Sequence, residues 1–323
     1  MKTSLFHWGL GLALLLIAVY VGGSLIFLQT QASTGEVVVE NIGPTFVGSP
    51  EISTTIGGSE AYTSGTISNV IAGSTRDVFV KGQVQDLNGA SDINFVKVKF
   101  YRNDATCNTI LNRDGNTCYY RDKLTDPSRC SYSYLNEVTV QYTCKLTLFS
   151  WIDATDTTAG TDQDYYWVVD VYVEDDQGES DQDNSRSVEI ASVTGLDIPP
   201  GIDFGTMAVD SQTSDPISQE ITQQGNVIQD VTVLSGAEFF ACSGSDIGIP
   251  IENLHWSTSQ VGWGVEGDTT ITGDAYDTNL AVQKRVHEFI APTKNLYWNL
   301  KIPDGVDGTC SATINVSAKN ANI

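Results

Sequence analysis

The run Val138-Thr-Val-Gln-Tyr-Thr-Cys-Lys-Leu-Thr-Leu148 decides the fold. Val138, Val140, Tyr142, Cys144, Leu146 and Leu148 fall on one side of an extended chain, with Thr139, Gln141, Thr143, Lys145 and Thr147 on the other. Six steps of period two do not arise from a helix, whose apolar positions recur every three or four residues. One dry face and one wet face is what a sheet packed against a second sheet requires.

The same alternation recurs on both sides of this run. Val78, Val80 and Val84 share a face of DVFVKGQV, and Val96, Val98 and Phe100 share a face of VKVKF while Lys97 and Lys99 point away. Trp167, Val169, Val171 and Val173 repeat the pattern, as do Val188 and Ile190. A second unit begins near Leu196, where IPPGIDFG marks a boundary. Ile217 to Thr222 and Val227 to Leu234 flank Gln223-Gln224-Gly225-Asn226, a connection of hairpin type. Leu296, Trp298, Leu300 and Ile302 form one inward face, and Cys310, Ala312, Ile314 and Val316 another. Short strands separated by Gly, Asn and Asp turns predict an all-β protein with two antiparallel β-sandwiches.

The chain has 323 residues, with 40 acidic residues against 17 Lys plus Arg and a formal charge of −23. A nucleic-acid partner is excluded, because no basic stretch is present to meet phosphates. An apolar share of 41% and an aromatic share of 9% are enough to build cores, which excludes wholesale disorder.

From Leu5 to Leu28 no charged residue occurs, and the run is long enough to cross a hydrocarbon layer of roughly 30 Å as a transmembrane helix. Lys2 precedes it and an acidic remainder follows, which places the C-terminal part outside the cytoplasm. The competing reading is a cleaved signal peptide, with Thr30 and Ala32 as small residues before a cut. Either way the rest of the chain is exported, at the cell membrane or secreted. The predicted divisions are 1–30 as anchor or signal segment, 31–73 as a Ser/Thr/Gly-rich stalk with first strands, 74–195 as one sandwich and 196–323 as a second.

Six cysteines agree with an oxidising compartment. Cys107, Cys118, Cys130 and Cys144 lie close together and allow three connectivities; the short local loops favour Cys107 with Cys118 and Cys130 with Cys144. A bond between Cys242 and Cys310 would lie inside the second sandwich and close a loop of about 68 residues. Zinc is disfavoured, because short Cys-x-x-Cys pairs are lacking and only His7, His255 and His287 are present.

The stretch VKGQVQDLNGASDINFVKVKFYR, followed later by YYWVVDVYVEDDQGESDQDNSRSVEIA, resembles the early strands and final hairpin of immunoglobulin-like or PKD-like modules in prokaryotic exported surface proteins. Asp86 with Asn88-Gly89 and Asp92 match the first turn, and Val171, Val173, Asp175 and Gly178 the last. The second half, with IDFGTMAVDS and IPDGVDGTCSATINVSA, is similar to immunoglobulin-like modules that follow in such proteins. The WDFGDG-type element of PKD domains is absent, and Cys107 to Cys144 forms an inserted cysteine-rich segment. The resemblance implies two immunoglobulin-like sandwiches after one N-terminal transmembrane helix, used as a spacer or in adhesion, and transfers no active site.

Between Asp153 and Asp183 lie eleven carboxylates and no Lys or Arg. Such crowding is relieved by a hard divalent cation or by solvation as an acidic rim. Calcium is the cofactor this pattern offers, with Asp153, Asp156, Asp175 and Asp176 as its ligands. Tyr119, Tyr120, Tyr132 and Tyr134 cluster in the cysteine-rich segment; rings held on a stapled loop would bind a protein or glycan partner, whereas the plainer reading has them covering small hydrophobic gaps. His255 and His287 stand without a nucleophile elbow or metal-binding partner, and both are expected on strand faces.

The expectation is therefore a non-enzymatic surface protein that displays or spaces an adhesive module and meets the membrane through residues 5–28. Its alternatives are a carbohydrate-binding accessory module and a structural subunit of an envelope layer.

Overall fold

The computed structural model describes residues 18–21, 24–27, 40–55, 61–62, 65–68, 70–107, 115–124, 126–286 and 289–321. Two compact units are present, residues 1–41 and residues 42–323. In the first, Ala18–Val21 and Ser24–Phe27 form an antiparallel pair of strands, where a helix was expected; the rest of the apolar run lies outside the described residues. No helix among the described residues is long and apolar enough to cross a membrane. In the larger unit the helical residues described are short 3-10 turns such as Ala90–Asp92 and Gly160–Asp162.

The alternating runs sort into two sheets. Cys130–Tyr134, Thr139–Phe149, Thr75–Gln85, Glu51–Ser53 and Ala61–Tyr62 lie side by side in that order, with Thr45–Phe46 also against Thr75–Gln85. The facing sheet runs Thr66–Ile67, Ser180–Ile190, Trp167–Asp175, Ile93–Arg102, Cys118–Asp122. Thr66–Ile67 joins Ser180–Ile190 in parallel, while the other pairs of this sheet are antiparallel. Strands from the 31–73 stretch thus contribute to both sheets.

The period-two faces meet in one core. Val78, Val80, Val140, Tyr142, Leu146 and Leu148 from one sheet pack with Val96, Val98, Phe100, Trp167, Val169, Val171 and Val173 from the other, all without solvent exposure. Each buried aliphatic side chain of this kind contributes about 1.5–3 kcal/mol. Gly82 interrupts the valine series for a reason: it stands opposite Tyr142, whose ring occupies the space a Cβ would need. Glycine here is a close-approach site for an aromatic neighbour across the ladder.

In the second sandwich a sheet of Leu196–Asp197, Ile217–Gln223, Thr293–Leu300, Leu254–Ser257 and Thr269–Thr270 faces two three-stranded sheets. One holds Tyr276–Asp277, Gln229–Ser235 and Ile314–Asn320, and the other Ile249–Pro250, Phe239–Cys242 and Cys310–Ser311. Trp298, Leu296, Ile221, Val231 and Val233 fill the space between.

The connection at residues 223–226 is not a hairpin. Ile217–Gln223 and Gln229–Ser235 belong to different sheets, because the polar groups between them serve the link from the first sandwich instead. The Gln224 N–H donates to the Gly195 carbonyl (2.9 Å) and the Asn226 N–H to that of Val193 (3.0 Å), while Asn226 Oδ1 accepts from the Val193 N–H (2.6 Å). Gly195 N–H reaches Gln229 Oε1 at 2.8 Å, and Gly73 N–H reaches the Gln224 carbonyl at 2.9 Å. A Cβ on Gly225 would run into the Val193 carbonyl oxygen, so only glycine lets the two backbones lie this close.

The disulfides join Cys107 to Cys118, Cys130 to Cys144 and Cys242 to Cys310. Cys130 and Cys144 stand directly opposite in one ladder, as do Cys242 and Cys310 in another. The last pair is half-buried at the flank of the second core rather than inside it. Closing 68 residues is worth about 4 kcal/mol on the chain-entropy account.

The register carries a direct test. Leu146→Ala, on the inward face, is expected to cost about 2–5 kcal/mol. Lys145→Ala removes only an exposed pair with Asp77 (2.6 Å) and should cost about 0–1 kcal/mol. Chemical denaturation that finds the two equally costly would refute this assignment of faces.

Candidate functional site

The acidic segment 153–183 is divided by the Trp167–Asp175 strand that runs through it. Nine extended residues span roughly 27 Å at about 3.3 Å each. Asp153 and Asp156 belong to the loop at one end of this strand, and Asp175 and Asp176 to the hairpin at the other. The structure therefore does not bring the four expected calcium ligands together. Each pair has a different fate.

At the first end, burial of Trp167 organises the loop. Its ring packs on Phe100 (centroids 4.8 Å apart) and its Nε1–H donates to the Asp153 carbonyl at 2.9 Å. The Asp153 side chain, 2% exposed, accepts from Arg102 Nη1 (2.6 Å), Asn116 Nδ2 (2.5 Å) and Lys284 Nζ (2.8 Å). Asp162 takes the same two cations, Arg102 at 3.0 Å and Lys284. Asp104 holds the other side of the Arg102 guanidinium in a two-pronged contact of 2.7 and 3.0 Å. Because Lys284 belongs to the second sandwich, this is a charge lock across the junction. Two further contacts cross it, Asn320 Nδ2–H to the Thr158 carbonyl (2.9 Å) and the Arg285 guanidinium 3.9 Å above the Trp151 ring.

Burial alone would lower the Lys284 pKa, but Asp153 and Asp162 outweigh it and hold the ammonium above its ordinary 10.5. Asp156 is half-buried and has its own task. Desolvation works against its charge, yet hydrogen bonds from Ser192 (Oγ–H at 2.6 Å, N–H at 2.8 Å) and Thr158 bring its pKa below the usual value. It ties the start of the inter-sandwich link to the loop.

At the second end, Asp175 is joined by two residues outside the expected set. Asp86 follows the Thr75–Gln85 strand and Asp92 closes the Ala90–Asp92 turn. One carboxylate oxygen from each of Asp86, Asp92 and Asp175 lies within 4.8 Å of the others. Asp176 only lends its N–H to the Asp92 carbonyl (2.9 Å). Desolvation pushes the Asp86 carboxyl above its ordinary range, and Asp92 and Asp175 add to this against the N–H bonds of Asn88 and Gly89. The signal that pointed to Asp86 and Asp92 was already in the Asp-x-Asn-Gly-x-x-Asp spacing, which reads as a turn until the hairpin carrying Asp175 is folded beside it. Nothing in the sequence linked Lys284 to Asp153, 131 residues away.

The cysteine-rich segment is not a protruding loop. Cys118–Asp122 edges one sheet of the first sandwich and Cys130–Tyr134 edges the other, so the segment completes both layers. Tyr119 and Tyr120 are consequently buried, Tyr119 against Phe100, Trp167 and Phe149. Burial, with Asp122 beside it, pushes the Tyr120 hydroxyl up to about 12. Tyr132 is half-buried beneath Lys123 (5.4 Å), and Tyr134 alone of the four is exposed. The four rings form no common platform.

His255 lies between Asp268 Oδ2 (2.6 Å from Nδ1) and Thr270 Oγ1 (3.1 Å from Nε2), with Trp263 stacked on its ring at 3.9 Å. The order hydroxyl, imidazole, carboxylate resembles that of a hydrolase triad. Asp268 is shared with Asn299 Nδ2 (3.0 Å) and the Gly264 N–H (2.7 Å), which uses it to brace a surface turn. A groove of about 600 Å³ on the same sandwich is lined by Phe240, Ile249, Leu300, Ile302 and the 201–207 segment, and does not include the trio. His287 lies outside the described residues.

No family model matches the chain, and no curated protein does. Among solved structures, a chain from a chaperone–tip adhesin complex of CFA/I fimbriae biogenesis is similar over 78% of this chain and 76% of that one, at 8% identity and a TM-score of 0.24. A superposition of that quality carries no argument about role.

The charge lock makes the junction pH-sensitive with a defined sign. Lys284 contributes stability that is fully present below pH 10.5 and is lost as pH rises through its higher folded value. Lys284→Met should cost about 1.5–3 kcal/mol and split one calorimetric transition into two. As pH rises above 10.5 the difference between wild type and variant should shrink; a difference that persists undiminished at the alkaline end would refute the lock.

Proposed function

We propose that the chain is a non-enzymatic, membrane-tethered extracytoplasmic protein whose two coupled sandwiches display or space an adhesive surface away from the cell. The observation that carries this reading is the complete pairing of the cysteines behind an apolar leader: no free cysteine is present, and the bonds brace sheet edges. Edge strands are the surfaces through which sheets aggregate, and covalent bracing of them suits a protein that works outside chaperone protection.

An immunoglobulin-like assignment of the first sandwich is supported by its strand order. Four neighbours, Glu51–Ser53, Thr75–Gln85, Thr139–Phe149 and Cys130–Tyr134, follow the A-B-E-D order, and Ser180–Ile190, Trp167–Asp175, Ile93–Arg102 and Cys118–Asp122 follow G-F-C with an added edge strand. The second sandwich has a different order, in which the Gln223–Ile228 crossing replaces a hairpin.

The glycan-binding alternative is weakened by the burial of Tyr119 and Tyr120, which leaves of the four rings only the exposed Tyr134 and the half-buried Tyr132 for a sugar to stack on. The proposal of no catalysis rests on the commitments of Asp268 and Asp153 to structural partners.

Fractionation of the native host tests the reading. The full chain should sediment with membranes, be cut by protease added outside intact cells, and bind no thiol reagent until reduced. Release of a chain lacking residues 1–30 into the medium is the expected effect of deleting the leader's tether after export by a substitute signal. Reactive thiols before reduction, or full protection from external protease, would overturn the export and display reading.

A further inference from the structure

We propose that Asp86, Asp92 and Asp175 form a calcium site at the end of the first sandwich where the chain enters it. Two segments distant in sequence deliver the three carboxylates: the loop that runs from the end of Thr75–Gln85 through the Ala90–Asp92 turn supplies Asp86 and Asp92, and the end of Trp167–Asp175 supplies Asp175. Their oxygens, one from each, lie within 4.8 Å of one another. Opposite ligands on a calcium ion sit about 4.8 Å apart, twice a bond of about 2.4 Å, so all three fit on one coordination shell.

A second observation, independent of the clustering, points to a ligand. Asp86 is 0% exposed, and while its Oδ1 accepts the Asn88 N–H at 2.8 Å, its Oδ2 is buried with no hydrogen-bond partner among the described residues. A buried carboxylate oxygen left unmet forfeits its solvation without a compensating bond, which disfavours the folded state. No Lys, Arg or His among the described residues forms an ion pair with Asp86 or Asp92, in contrast with Asp153, which has two cations. Asp175 Oδ1 is braced by the Gln177 and Glu179 N–H groups (2.9 and 2.8 Å), which fixes its carboxylate toward the cluster.

The chemistry of the donors selects the ion. An all-carboxylate set without nitrogen or sulfur suits hard cations, and calcium accepts irregular geometry and bidentate carboxylates where magnesium demands an octahedron at about 2.0–2.1 Å. Bound calcium would fasten the 86–92 loop to the 175–180 hairpin. The same loop holds the first residues of the larger unit, through the Ile42 N–H to Asn88 Oδ1 (2.7 Å), so the ion would stiffen the entry of the chain.

The test uses the purified full chain, stripped with a chelator and titrated with calcium chloride by calorimetry and by thermal unfolding. A single ion per chain with Kd of about 10⁻⁴–10⁻³ M is expected, the range of extracellular modules, with Tm rising as calcium exceeds it. Asp92→Asn should weaken binding by about 10-fold or more while leaving the metal-free Tm equal or higher, because it removes repulsion. Asp176→Asn, one residue from the cluster, should change nothing. Absence of any calcium response at about 10 mM, an intact response in Asp92→Asn, or an equal response to magnesium would overturn the assignment.

Discussion

Trp167 is the residue on which the other features converge. It occupies the centre of the first core without solvent exposure, and its one polar atom must find a partner there. The partner is the Asp153 carbonyl, which fixes the loop after Thr139–Phe149 against the core. Once that backbone is fixed, the Asp153 side chain has nowhere to go but the small polar space between sandwiches. Arg102 and Lys284 then become obligatory, since an unmatched buried carboxylate would cost more than the loop gains. Hydrophobic packing thus determines the position of the charges, and the charges determine how the second sandwich is held.

The strands were legible because period-two burial is a local property. The inward-phase residues of the runs from Val78 to Ile190 are buried, with Val138 at the margin of its run only half-buried, while a few outward-phase residues, Phe79, Thr139 and Asp170, are buried as well. Pleat alternation tells which face a residue occupies but not which sheet its strand joins. That is why Gln223 to Asn226 read as a hairpin: two apolar runs with a polar, glycine-containing spacer satisfy the hairpin pattern whether or not the strands pair. The decisive facts are the acceptors on Val193 and Gly195, some thirty residues earlier, and no local pattern contains them.

The tyrosines show the same limit from the other side. A segment bounded by cysteines looks like an excursion from a domain, and its rings look displayed. In the structure each disulfide brings an edge strand into a sheet, and the rings of Tyr119 and Tyr120 are covered by the layers they help to complete. The acidic segment was legible as a concentration of charge but not as two sites, because whether Asp153 and Asp175 are neighbours depends on whether the residues between them are a loop or a strand. Trp167 to Asp175 is a strand, and its length separates them.

A chain with a net charge of −23 must hold carboxylates close together wherever loops gather at the ends of its sheets. The first sandwich meets this requirement differently at its two ends. At one, Asp153 and Asp162 meet Arg102 and Lys284, cations that the polypeptide itself provides. At the other, Asp86 and Asp92 have no such partner among the described residues, and the burial of Asp86 excludes the water that would otherwise solvate it. An internal cation locks a junction without drawing an ion from the surroundings. A carboxylate cluster without one leaves the stiffness of its loop to the solution outside, so that the end joined to the second sandwich is constant and the end that receives the incoming chain follows the ions around it.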